Sequence, residues 1–214
     1  MPHTASRRGP GRPPAAKAAE TRERILRSAR QVFSELGYDA ATFQAIALRA
    51  DLTRPAINHY FPNKRALFAE VVERTNALVI AAGVERAQTA TTLVGRLEAF
   101  LVAAVQADSE DRSAAAFMVA AVLESQRHPE LRQDGNDALQ GSRDFVAWAV
   151  NEAIKAGELT TDTDVTSLVE MLVAVFWGMG FYAGFVGDHE QLERITDQLK
   201  LLLEHRLWRL KPAK

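Results

Sequence analysis

The chain of 214 residues has no cysteine, which excludes disulfides and thiolate metal sites. Its five histidines, His3, His59, His128, His189 and His205, are scattered, and none lies at a metal-binding helical spacing from another. Asp188-His189-Glu190 is a cluster, but at a helix start it suits capping and the helix dipole better than a metal. No glycine-rich loop is present to cradle a phosphate, and the C-terminal part offers no catalytic set. We therefore expect no enzyme, no metal and no cofactor. No run alternates as a strand does, and nothing repeats at a period of 20–50 residues, so the expected fold class is all-α. The first twenty residues lack the apolar core of a signal peptide, and a cytoplasmic location is expected.

Net charge is also nearly absent, at −1. It is unevenly placed, however. Through residue 70 there are 12 Lys/Arg against 6 Asp/Glu, and from residue 71 onward 14 against 21. A basic N-terminal part on an acidic remainder points to a local site for an anionic polymer. Apolar residues make up 47% and charged residues 25%, as in an ordinary soluble globule.

Residues 1–18 hold four prolines, two glycines and no acid, and read as a disordered basic arm. Pro10-Gly11-Arg12-Pro13 resembles part of an AT-hook, which places Arg12 in a narrow minor groove. Residues 20–36 then space Ile25, Leu26, Ala29, Val32, Phe33 and Leu36 as one helical face, with Gly37 as a left-handed stop. Thr42 caps a short helix through about Ala50, and Asp51-Leu52-Thr53 makes a turn. Thr53 caps a third helix with Pro55 in its first turn, and Asn63 caps a fourth. Further helices are expected at 64–86, 91–107, 113–126, 130–156, 163–186 and 189–209.

Two short helices and a turn, beside a basic arm, form a helix-turn-helix pattern. Arg54, Asn58 and His59 lie on the exposed side of the second helix. Arg matches the O6/N7 edge of guanine, and Asn the N6/N7 edge of adenine. Thr53, Tyr60 and Lys64 sit where phosphate contacts orient such a helix.

Gly37-Tyr38, then Thr42-x-x-x-Ile46-Ala47-x-x-Ala50, then His59-Tyr60-Phe61-x-x-Lys64-x-x-Leu67 resembles the N-terminal signature of the TetR family of transcriptional regulators. The likeness spans roughly residues 20–68. It implies a helix-turn-helix domain over residues 19–66 and a helical effector-binding and dimerisation domain over 67–214. It also implies a homodimer on a double-stranded DNA operator of two-fold symmetry. Position by position, Thr42, Thr53, Tyr60 and Lys64 would contact phosphates. Arg54, Pro55, Asn58 and His59 would face bases, and Gln44 would reach the groove. The chain departs from the family at Asp51, where Gly is frequent, at Pro55, where a small residue is, and at Asn58, where an aromatic is.

The remaining apolar residues suggest where an effector would sit. Phe100, Phe117, Met118, Phe145, Trp148, Met171 and Phe176 are the candidate lining for a hydrophobic small molecule. The run Ser167–Val186 carries a single charge, Glu170, and is long enough to span a membrane. Acids flank it on both sides with no basic anchor, so we expect no membrane partner and a buried or interfacial helix instead. Its Gly180-x-x-x-Gly184 marks a close helix approach. With the striped last helix it supplies the candidate dimer interface: Val175, Met179, Tyr182, Leu192, Ile195, Leu199 and Leu202. The expected function is a ligand-responsive repressor, with the helix near 64–86 as lever. The alternative is a DNA-binding helical adaptor that has no effector.

Overall fold

The computed structural model describes residues 14–110, 113–132 and 137–207. Among the described residues there are ten α-helices and no strand. α1 (Pro14–Ala40) starts before the sequence suggests, so residues 14–18, assigned to the arm, are helical. The rest of the arm, Arg12 included, lies outside the described residues. The α1 stripe Ile25, Leu26, Ala29, Val32 and Phe33 is buried. Gly37 takes φ 75° and ψ 174°, a conformation that glycine tolerates and that kinks the chain before Tyr38.

α2 (Phe43–Arg49), α3 (Arg54–Tyr60) and α4 (Lys64–Asn76) follow at short intervals. Each opens on a side-chain cap: Thr42 accepts from Ala45 N, Thr53 from Ala56 N and Asn63 from Ala66 N. Asp51 turns the chain between α2 and α3 at φ 51°. These helices share one core with α1, built on Phe33, Ile46, Ile57, Leu67, Phe68 and Val71.

Beyond Asn76 the helix continues through a π-helical turn, Ala77–Ala81, into α5 (Ala82–Ala87). α6 (Leu93–Glu110) and α7 (Ser113–Arg127) come next. The helix expected from residue 130 begins only at Ala138, as α8 (Ala138–Lys155), because Pro129–Leu131 form a separate 3-10 turn. α9 (Val165–Phe185) lies along α7 and α8. α10 (His189–Leu203) opens on a capping box between Asp188 and Gln191. It stops at Leu203 rather than at 209, and His205 leaves at φ 57°.

A second core joins Phe100, Phe145, Val146, Val150, Leu172 and Phe176. A smaller third core, Val79, Ala107, Ala114, Met118 and Ala138, sits beside it. The first core extends past residue 66 into α4 and takes Phe117 from α7, so the two halves of the chain share packing. α9 is long and apolar enough to cross a membrane by length and composition. One face of it nonetheless fills the second core with Val169, Leu172, Val173 and Phe176. A Cβ at Gly184 would lie 2.6 Å from Ala116 Cα, so only glycine allows α7 and α9 to touch there.

Candidate nucleic-acid interface and apolar cavity

α3 has seven residues and one inward anchor, Ile57, which is fully buried. The spacing leaves Arg54, Pro55, Asn58 and His59 exposed as two adjacent rows of the helix. Gln44, Thr42 and Thr53 are exposed beside them. Each threonine caps a helix through its oxygen as an acceptor, which leaves the hydroxyl proton available to a phosphate. Tyr60 is half-buried, with its ring 5.3 Å from that of His59 in an edge-to-face pair. All the expected DNA-facing residues that are described therefore belong to α2, α3, their caps and the first residue of α4.

Lys64, expected at a phosphate, also makes contacts within the protein. Its ammonium donates to the carbonyl oxygens of Tyr38 at 2.7 Å, Asp39 at 3.0 Å and Ala41 at 3.1 Å. It also lies 4.5 Å from the centre of the Tyr38 ring. An ammonium has three N–H donors, and here all three close the end of α1. The ammonium thus serves as an internal cap.

Arg22 orients α3, which sequence spacing did not reveal. Its guanidinium pairs with Glu70 of α4, donates to the Tyr60 carbonyl at 3.2 Å and covers the Phe61 ring at 4.4 Å. The hydrogen bond to Glu70 raises the Arg22 pKa further. Arg49 at the end of α2 makes a two-pronged pair with Glu35 of α1, which holds the Glu35 carboxyl below its ordinary value. Burial pushes the Tyr38 hydroxyl pKa up, with Glu130 adding to it.

An apolar cavity of about 80 Å³ lies between the π turn, α6, α7, α8, α9 and α10. Phe100, Met118 and Phe176 are among the residues that line it. Ser142 and Thr196 are the two hydroxyls in its wall. Both donate to their own helix, to Ala138 O at 2.8 Å and Leu192 O at 2.9 Å. The cavity thus presents no free donor and no charge.

The other proposed lining residues lie elsewhere. Phe145 stands behind the wall, stacked on Phe100 at 4.4 Å. Trp148 packs against Phe145 and under the Arg96 guanidinium. Phe117 points into the first core, beside Phe33 and Phe68. Met171 is half exposed on the outer face of α9. The sequence missed Val79 and Ile80 of the π turn, which line the cavity, and the close packing of Gly83 on Phe100, where a Cβ would lie 2.6 Å from the ring.

The outward face of α9 carries Met171, Val175, Gly178, Phe181 and Phe185. Of the residues assigned to a dimer interface, Val175 and Leu202 are exposed. Tyr182, Ile195 and Leu199 are half-buried. Met179 and Leu192 are buried and line the cavity, which corrects their assignment. Because α9 is apolar all round, its pattern does not reveal which stripe turns inward.

Residues 25–71 match the family described as "Bacterial regulatory proteins, tetR family". Residues 88–199 match "Tetracyclin repressor-like, C-terminal domain". The HTH-type transcriptional regulator UidR of Escherichia coli K12 is 23% identical over 163 residues, 76% of this chain and 81% of that protein. The structure of Salmonella enterica GusR superposes with a TM-score of 0.60 at 25% identity, covering 88% of this chain and 95% of that one. FadR from Bacillus subtilis, solved in complex with stearoyl-CoA, gives 0.69 at 21% identity, covering 87% and 99%.

Proposed function

Since the chain belongs to the TetR family of helix-turn-helix transcriptional regulators, we propose that it is a dimeric repressor released from its operator by an apolar small molecule. The observation that carries this reading is a pairing. An exposed base-reading face on α3 and an apolar cavity are bridged by α7 and by α4 with the π turn that continues it. The cavity is what favours an effector over a plain DNA-binding adaptor. Its uncharged wall, with both hydroxyls already donating, selects hydrocarbon or aromatic groups. A neighbour in fold was solved with stearoyl-CoA, and an acyl chain is one such group.

In the dimer, the two α3 helices enter successive major grooves about 34–36 Å apart. The outward apolar stripe of α9, with Leu202 of α10, forms the contact between copies in the cytosol. An effector that binds better to a state with another spacing weakens operator binding by its differential affinity. The experiment is selection of bound duplexes from random DNA, followed by a screen of acyl and aromatic compounds for release. A palindromic consensus and release by an apolar compound are expected. No consensus, or no release by any apolar compound, would refute the corresponding half of the reading.

A further inference from the structure

α7 has two working faces. Ala115, Met118 and Val119 line the cavity. Phe117 and Ala121 pack into the first core, with the helices that carry the DNA-reading face. Further along that second face lies Glu124, 8% exposed. Its carboxylate accepts from the backbone N–H of Tyr38 at 3.1 Å, across 86 residues of sequence. Arg127 and His128, from the same helix end, lie at 4.0 Å and 3.7 Å from it. His128 reaches Asp39 at 3.2 Å and its ring lies 5.4 Å from that of Tyr38.

The other side of the contact is built to receive it. A Cβ at Gly37 would lie 2.9 Å from the Glu124 carboxylate oxygen, so glycine is needed for space as well as for its φ. Lys64 holds the carbonyls of Tyr38, Asp39 and Ala41 while Glu124 holds the Tyr38 N–H. The segment joining α1 to α2 is therefore gripped by its carbonyls from the DNA domain and by its amide from the effector domain. Met118 and Glu124 are separated by about 1.7 turns of one helix.

We infer that Glu124 is a positioning residue, a latch through which α7 sets the orientation of the DNA-reading domain against the effector domain. An effector that displaces Met118 moves α7 and thereby the carboxylate, and releases the Tyr38 amide. The latch itself stands on geometry. Its use by an effector rests on the function proposed above.

The test uses the full-length protein with Leu48→Cys and Ile154→Cys, both exposed and on different domains. The chain has no native cysteine, so only these two sites take a spin label. Labelled protein is diluted in unlabelled protein, so that the distance measured by pulsed EPR lies within one protomer. Glu124→Ala should broaden or shift the distance distribution, while circular dichroism shows intact helices. Glu124→Gln keeps an oxygen acceptor and should stay near the parent. If Glu124→Ala does not fold, Glu124→Met fills similar space without an oxygen acceptor and serves in its place. An unchanged distribution in the folded variant overturns the latch.

A second arm separates positioning from plain destabilisation. On selected DNA with both half-sites, Glu124→Ala should bind about tenfold more weakly, from an unpaired half-buried amide and a lost orientation. On the same DNA with one half-site scrambled it should match the parent. Equal losses on both DNAs make Glu124 merely structural. A parent that selects no consensus refutes the proposed function instead, and leaves the EPR arm to decide the latch.

Discussion

Lys64→Met separates an internal cap from a DNA contact. The substitution keeps most of the apolar stem and removes the ammonium. Three carbonyls lose their donor, at 2.7, 3.0 and 3.1 Å. A hydrogen bond from a charged group contributes about 1.5–3 kcal/mol when buried. The three are not equivalent, because Asp39 is exposed and its carbonyl regains water, while Ala41 is buried and Tyr38 is half-buried. The loss should be roughly 2–4 kcal/mol, less than three full bonds. For a chain of this size that lowers Tm by on the order of 10 °C. Thermal unfolding followed at 222 nm measures it directly. Operator affinity is then measured against salt. Each lost phosphate contact would reduce the slope of log K against log salt by about 0.9. Because the N–H groups point inward, the slope should stay that of the parent. An unchanged Tm together with a shallower slope would refute the cap and return Lys64 to the phosphates.

Arg54→Ala should cost about 1–3 kcal/mol at a single base position if it reads a guanine; the same loss on nonspecific DNA would make it a phosphate binder. Gly184→Ala forces a methyl against the Ala116 backbone, where no side chain can yield, and should destabilise by about 1–3 kcal/mol in denaturant titration. Gly178→Ala is its control: nothing lies within 4 Å, so the protomer should gain up to about 1 kcal/mol from helix propensity. Phe181→Glu places a charge on the outward stripe of α9 and should give a folded monomer by light scattering; a persistent dimer would move the interface elsewhere.

The helix-turn-helix was legible because its determinants are local. Thr42, Thr53 and Asn63 each cap a helix within three residues, and Asp51 bends the turn as its side chain allows. Gly37 likewise announced the end of regular α1. The cavity was half legible. Phe100, Met118 and Phe176 were chosen for bulk and do line it, but bulk says nothing of direction, and Phe117 went to the other core. The π turn at Ala77–Ala81 has no composition of its own to signal it. Long-range pairings left no trace in the sequence. Arg22 with Glu70, Glu124 with Tyr38 and Lys64 with three carbonyls join residues far apart, and nothing in the spacing of the charged residues points to these partners.

The contact of Gly184 with Ala116 has a consequence for how two copies behave together. It presses the helix that bears Glu124 directly against the helix whose outer stripe is proposed to face a second protomer. A shift of α7 in one copy is therefore geared to the shared seam, and through it to the other copy. Such a dimer has no comfortable half-way form, because a seam of two-fold symmetry fits only matched halves. The two DNA domains should let go in concert, and the dose–response for release should be sigmoidal, with a Hill coefficient above one and at most about two. Gly184→Ala, in whatever protein still folds, should flatten that curve before it abolishes binding.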